Sequence, residues 1–436
     1  MKYLWTSSSP ASQWKKRGEP ARVRTPPTLT YRPDPIREWK GFGGCFNELG
    51  WTALNRLSRE NRQRALESLF SAGKGCGFTY CRLPIGASDY AETWYSHNEN
   101  PGDFKMKRFS IERDHRHLIP YIRAARELQP ELYLFASPWS PPTWLKNPQA
   151  YNNGKLIWQP ECLKAYALYF LRFVRSYAKE GIPIHAVHVQ NEPNSDQKFP
   201  SCLWTGEKMR DFIRDYLGPL FRKERLDCEI WAGTIERADV NAWAQLILSD
   251  PAARRFITGV GYQWAGKGAV QRTKMAWPDV PVIQTENECG DGANTWDYAH
   301  YVFDLMHHYI TNGAEAYVYW NMILQANGES TWGWRQNSMI SVDAERATFT
   351  YNPEYYVMRH FASFVEPGSH VLMPEGILAG NAMAFRKTDG RIVYVVHNPF
   401  ATPAPVRLGN NGQVAEFIME PQSINTIVAP PDGSSR

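Results

Sequence analysis

The chain has 436 residues, with 49 Lys and Arg against 44 Asp and Glu and a formal charge of +5. It is long enough for one large domain and a smaller partner, since single cores stop growing near ~250–300 residues, and its small, dispersed charge excludes the basic footprint of a nucleic-acid binder. The 17 Trp, 22 Tyr and 20 Phe exceed the needs of a core and point to a small carbohydrate or glycoside as partner, because aromatic faces stack on the C–H faces of sugar rings.

Residues 1–20 carry basic side chains but no apolar stretch of the signal-peptide kind, and no later segment approaches a membrane span. A cytoplasmic protein is the expectation. Seven cysteines without paired spacing read as reduced thiols and not as a disulfide framework or a zinc site. Residues 1–38 form an extended arm with a short strand near 29–31, whose partner is expected at the far end of the chain.

From Gly41 onward, short apolar runs alternate with helical patterns. The runs cover 41–46, 78–83, 132–136, 184–189, 229–234, 257–263, 280–285 and 316–320. Helices are predicted over 58–72, 110–129, 160–179, 242–248 and 296–311, and another follows an N-cap at Thr205. In 160–179, Leu163, Tyr166, Ala167, Phe170, Val174 and Tyr177 form one buried stripe, which Gly181 ends. Eight such units over about 300 residues predict a parallel sheet closed into a (β/α)8 TIM barrel, assigned to 39–352. An open doubly wound sheet is the rival, but no Gly-rich nucleotide turn follows the first run. In 353–436 a last helix over 355–364 precedes strands at 382–386, 392–396, 414–419 and 423–428, with a hairpin signal at Asp389-Gly390. This is a small β-sandwich, which the N-terminal arm completes.

In such a barrel the C-terminal ends of the strands carry the chemistry. The second run ends at Arg82, with Asp89 in the loop beyond. The third leads into Trp139, the fourth ends in Asn191-Glu192, the sixth in Gln263-Trp264, the seventh in Glu286 and the eighth in Trp320-Asn321. Two glutamates facing each other across a sugar-sized gap are what glycoside hydrolysis requires. Arg82 is expected to hold Glu286 at a low pKa, as suits a nucleophile, while Glu192 stays protonated as the acid/base.

Nearby groups have blander readings. Glu288 lies beyond the strand end. His185 and His188 point to opposite sides, so packing or hydrogen bonding explains them better than a metal pair. Cys202 and Cys289 lack an evident His base and read as buried thiols. Trp204, Trp332 and Trp334 either line a subsite or pack a loop.

Gly41-Phe-Gly-Gly, Arg82-Leu-Pro-Ile-Gly, Ser137-Pro-Trp-Ser-Pro-Pro-Thr-Trp-Leu-Lys, Gln190-Asn-Glu-Pro, Gln284-Thr-Glu-Asn-Glu, Tyr319-Trp-Asn and Tyr351-Asn-Pro-Glu-Tyr-Tyr together resemble glycoside hydrolase family 30, the family of lysosomal glucosylceramidase. The resemblance covers nearly the whole chain in order. It implies a retaining β-glycosidase with a barrel and a fused β-sandwich, without metal or other cofactor. It also implies Glu192 as acid/base, Glu286 as nucleophile and Asn191 as partner of the sugar 2-hydroxyl. Asp89, Trp139 and Trp320 match positions that hold the terminal sugar, and Arg82 matches an arginine near the nucleophile. Tyr262-Gln263-Trp264 departs from the family's His-Trp-Tyr, so Trp264 offers an indole N–H where glucosylceramidase has a phenol. The loop 325–336 also differs.

The leading expectation is exo-action on β-glucosides or glucosylceramide-like substrates, since a cytoplasmic glycosidase meets short sugars. The alternatives are a β-fucosidase, β-xylosidase, β-galactosidase or β-1,6-glucanase of the same family, or, from another class, a non-catalytic carbohydrate-binding protein.

Overall fold

Eight short strands are buried on both faces because each alternates between two cores. They are β1 (Gly41–Cys45), β2 (Tyr80–Pro84), β3 (Tyr133–Ser137), β4 (Ala186–His188), β5 (Glu229–Ile235), β6 (Gly259–Gln263), β7 (Val282–Glu286) and β8 (Ala316–Asn321). Tyr80, Phe135, Ala186, Trp231, Ile283 and Val318 pack together inside the ring. Cys81, Leu134, Val187, Ile230, Val282 and Tyr317 belong to the larger core shared with the helices. Period-two side chains on a closed sheet produce this division.

The computed structural model describes residues 2–410 and 412–431. Its parallel ladder runs β7-β6-β5-β4-β3-β2-β1-β8. The seam between β7 and β8 closes differently. Backbone bonds Glu315 N–H to Val282 O (2.8 Å) and Asn287 N–H to Val318 O (3.0 Å) hold it at either end. Between them Val318 N–H donates to the Gln284 side-chain oxygen at 2.7 Å.

The helix Pro160–Lys179 buries the stripe read from the sequence, with Pro160 in its first turn and Gly181 at φ +73° just beyond it; only glycine takes that conformation without strain. The stretch 110–129 is not one helix. A 3-10 turn, Glu112–Arg116, precedes an α-helix, Leu118–Leu128. The Asp114 carboxylate, fully buried, accepts the Tyr95 and Tyr177 hydroxyls at 2.7 and 2.6 Å. That anchor fixes the turn where helical spacing would carry the carboxylate away.

Beside the barrel a seven-stranded antiparallel sheet runs Ser12–Lys16, Leu4–Ser9, Ser423–Ala429, Ile392–Asn398, Ala382–Arg386, His370–Leu372 and Arg37–Glu38. A second sheet holds Ala404–Asn410, Gln413–Met419 and Ala21–Val23. All seven residues of Ile392–Asn398 are buried. Val393 and Val395 join the barrel's core, whereas Ile392, Tyr394 and Val396 join the core between the sheets. One sheet thus separates two interiors.

The arm differs from the expected single strand near 29–31. Thr30–Tyr31 pairs with Pro374–Glu375, Leu29 bridges Leu408, and Leu4–Ser9 makes the main connection, against Ser423–Ala429. Its Thr6-Ser-Ser-Ser run is buried and carries no hydrophobic signal. His360 secures it, with Nδ1 on Thr426 Oγ1 (2.8 Å) and Nε2 on Ser8 Oγ (2.9 Å). The helix carrying His360, Pro353–Ala362, falls beyond the division at residue 352, yet its Tyr355, Val357, Met358 and Phe361 pack in the barrel's core. Among the described residues no helix is long and apolar enough to cross a membrane, and all seven cysteines are free thiols.

Candidate active site

The strand ends at one mouth of the barrel are bent to aim side chains inward. Glu192, just past β4, has φ +45°, and Trp264, just past β6, has φ +49°. Such left-handed backbone costs on the order of 1–3 kcal/mol in a residue with a side chain, and it persists where the surroundings over-determine it. At Glu192 those surroundings are Thr234 O, which accepts its N–H at 3.2 Å, and Ser195 N–H, which donates to its carbonyl at 2.9 Å. In β5, Gly233 at φ +66° shifts the register against β6. Its carbonyl lies 2.8 Å from His188 Nδ1, so His188 is a hydrogen-bonded interior residue.

Arg82 organises the floor. Its guanidinium, fully buried, donates to Ser137 Oγ at 3.0 and 2.8 Å, to Gln263 Oε1 and Thr285 O at 3.2 Å each, to Asn191 Oδ1 at 2.6 Å and to Glu286 Oε2 at 2.8 Å. It also lies over the Trp139 ring at 4.5 Å. The planar fork of Arg suits this division among several acceptors. Gln263 completes the network: its Nε2 donates to Asn191 Oδ1 and Glu192 Oε1, both at 3.2 Å. Thr234 Oγ1 adds a third donor on Asn191 Oδ1 at 3.2 Å. Glu286 Oε1 receives the Trp264 indole N–H at 3.1 Å.

These contacts make the two glutamates unequal. Burial lifts the Glu192 carboxyl well above the usual range, and the charges of Glu286 and Glu236 push it the same way. Burial lifts Glu286 as well, against the opposing effects of Arg82, Trp264 and Gln263. The low pKa expected for Glu286 is therefore corrected: removing the carboxylate from water outweighs the arginine. The order of ionisation remains, because Glu286 has two charge-stabilising donors on its oxygens and Glu192 has one amide. Asp89 is pushed up to about 8, by burial first and then by the charge of Glu286.

Asp89, Trp139, Asn191, Glu192, Trp264 and Glu286 line a single cavity of about 290 Å³. Arg82 and Trp320, at 0 and 1% exposure, support it from within the protein; Trp320 stacks on Trp139 at 5.4 Å. Trp334 also lines the cavity, while Trp332 packs on Phe199 at 5.1 Å. Trp204 belongs to a core cluster with Trp158, Tyr166 and Phe212. Glu288 is held by Lys267 at 2.7 Å and the Tyr301 hydroxyl at 2.8 Å, away from the pair. Cys289 lines the cavity with its thiol raised far up by burial, and Cys202 is raised to about 11 for the same reason.

Three residues at the site escaped the sequence reading as functional candidates: Gln263, Glu236 and Gln336. Gln336 Nε2 approaches Asp89 Oδ2 at 3.4 Å and its Oε1 accepts Asn321 Nδ2 at 2.7 Å. Glu236 directly follows β5, and that place just past a barrel strand, shared with Glu192, is the signal that marks it. Chemically, a buried carboxylate beside a buried carboxylic acid can attack on one side of a bond while a proton is delivered on the other.

Known proteins share this chain's sequence and fold. The family model described as "Glycosyl hydrolase family 30 TIM-barrel domain" matches residues 39–365. Lysosomal acid glucosylceramidase of Mus musculus is 30% identical over 421 residues, covering 89% of this chain and 80% of that protein. An endo-1,6-beta-D-glucanase of Neurospora crassa is 26% identical over 422 residues, covering 91% and 86%. The solved structure of SrfJ from Salmonella typhimurium superimposes with a TM-score of 0.91 at 27% identity, covering 99% of this chain and 100% of that one.

Proposed function

The chain belongs to glycosyl hydrolase family 30, and from that premise we propose that it is a retaining, exo-acting β-glycosidase that cleaves β-glucosides with Glu286 as nucleophile and Glu192 as acid/base. The observation that carries this reading is the unequal pair in one cavity. The Glu286 carboxylate, stabilised by Arg82 and Trp264, attacks the anomeric carbon. Glu192, held protonated by burial, gives its proton to the departing oxygen as the glycosidic bond breaks. Water then enters, Glu192 takes back a proton, and the new C–O bond displaces Glu286.

Retention is favoured by how closely the two carboxyls are linked: Gln263 donates to Glu192 Oε1 and accepts from the same Arg82 nitrogen that holds Glu286 Oε2. So short a bridge suits the close spacing of retaining enzymes, about 5–5.5 Å, and not the about 6.5–9.5 Å that makes room for a water in inverting ones. Asn191 has three donors on Oδ1, which leaves its Nδ2 facing away from that network, available to a sugar hydroxyl. Exo-action is favoured by the cavity volume, about 290 Å³, at the bottom of the range for small-molecule sites (~300–1,000 Å³). Beside the cavity, its wall residue Phe199 packs on Trp332 and joins the loops following β4 and β8. A β-glucoside is favoured by the likeness to a glucosylceramidase; a β-1,6-glucan is the second reading, favoured by the likeness to an endo-1,6-glucanase.

A screen of nitrophenyl β-glycosides with NMR of the product tests both parts. The β-glucoside should be turned over fastest, and the β-anomer should appear first. The α-anomer first would overturn retention, and long oligosaccharides from a digested β-glucan would overturn exo-action.

A further inference from the structure

The cavity has two ends of different construction. At one, Asp89 and Gln336 join Trp139, in contact with the Arg82 and Asn321 network. At the other, adjoining Glu192, the wall is Ser195, Gln197, Glu236 and Arg237. Glu236 concentrates its contacts on one oxygen, Oε1, which also lies 3.6 Å from Arg237 Nε. Oε1 accepts Asn194 N–H at 3.0 Å and Ser195 Oγ–H at 3.1 Å, fastening the turn that follows Glu192. Oε2 is buried without a hydrogen-bond partner, in a residue only 4% exposed. A buried carboxylate oxygen left unpaired is costly, and a hydroxyl brought to it recovers a charge-assisted bond.

The rest of the lining discriminates between kinds of leaving group. Among the described residues no Leu, Ile, Val or Met lines the cavity, so an alkyl chain would find carboxylates, amides and a guanidinium instead of aliphatic contact. Phe199 and Trp334 offer ring faces, which suit the C–H face of a sugar.

We propose that Glu236, with Ser195, Gln197 and Arg237, forms a leaving-group subsite for a second sugar, in which Glu236 Oε2 accepts one of that sugar's hydroxyls. The substrate is then a sugar-to-sugar glycoside and not a glycolipid. This rests on Glu192 as the proton donor, because the leaving group lies on the donor's side.

The test uses the full chain, a β-1,6-linked diglucoside, methyl β-glucoside, which needs the same proton donor but lacks a second sugar, and glucosylceramide in detergent micelles. Glu236→Gln keeps an oxygen for Asn194 and Ser195 while replacing the free acceptor with a donor. It should lower kcat/KM for the diglucoside about tenfold further than for the methyl glucoside, the size of one hydrogen bond to a charged group. The wild type should prefer the diglucoside to glucosylceramide. Equal losses on both glucosides would overturn the proposal and make Glu236 a brace for the turn; preference for glucosylceramide would also overturn it. Calorimetric binding of the diglucoside to Glu192→Gln, with and without Glu236→Gln, reads the subsite without turnover. Affinity weakened about tenfold supports the subsite even if the wild type hydrolyses nothing, in which case the catalytic reading alone fails. Unchanged affinity sinks the subsite whatever the kinetics.

Discussion

Trp264 donates its indole N–H to Glu286 Oε1 at 3.1 Å, from a backbone held in the left-handed region. The bond favours the ionised carboxylate against the burial that opposes it. Trp264→Phe keeps an aromatic wall and removes the donor. A hydrogen bond to a charged group is worth about 1.5–3 kcal/mol, so kcat/KM should fall roughly 10- to 100-fold. The acidic limb of the pH–rate profile should move to higher pH, because Glu286 then ionises later. An unmoved limb would show that the indole does not bear on the carboxylate's charge.

Arg82 binds four side chains at once, so its loss should register in stability as well as activity. Arg82→Met leaves Glu286 buried without its cation, and urea unfolding should report a loss of roughly 3–5 kcal/mol. Arg82→Lys should recover part of the stability but little activity, since a single ammonium cannot hold Glu286 and Asn191 in the fork's geometry. Full activity in the lysine variant would contradict this.

Asp89 and Glu354 are each raised by burial to about 8, from 3.8 and 4.5. Glu354 is fully buried against Asn337 Nδ2 at 2.6 Å. Between about pH 4 and 8 the folded protein therefore holds protons at these sites that the unfolded chain has released, and stability falls as pH rises through that window. Asp89→Asn and Glu354→Gln remove the slope. Each should raise Tm relative to wild type more at pH 8 than at pH 5; equal shifts at both pH values would show that the carboxyls are not held protonated.

Gly261 lies in β6, where an added Cβ would meet Gly233 O at 2.7 Å, Thr285 Cγ2 at 2.7 Å and His188 Nδ1 at 2.8 Å. These are parts of the barrel interior beneath the two glutamates. Gly261→Ala should cost about 1–3 kcal/mol by overpacking. It should also slow turnover, because Thr285 Oγ1 supports Gln263 Oε1 at 2.9 Å. Denaturant melts and steady-state kinetics on one preparation would check both.

The barrel was legible because eight apolar runs alternate with helical stripes, a periodicity that survives without knowledge of contacts. Glu192, Asn191 and Glu286 were legible for the same reason: a strand end is a position that sequence can name. Leu4–Ser9 was not, since small polar residues buried by pairing look like loop. Gln263 stood in view at the end of β6, but its importance comes from partners on β2, β4 and β7 that only closure of the ring brings together. The charge state of Glu286 depends on how completely water is excluded, a property of the whole fold.

The pairing of Leu4–Ser9 with Ser423–Ala429 carries a consequence for how the protein is made. Trp5 and its hydrogen-bond partner Asn425 are 420 positions apart, so during translation Leu4–Ser9 has its hairpin neighbour Ser12–Lys16 at once but waits for its other neighbour. Until then the face that Val393, Val395, Ile424 and Val428 present to the barrel has no finished sheet behind it. Slow, long-range strand pairing of this kind leaves edges exposed. Maturation of the newborn protein should therefore be paced by a sheet outside the cavity wall, with the barrel's own units assembled ahead of it.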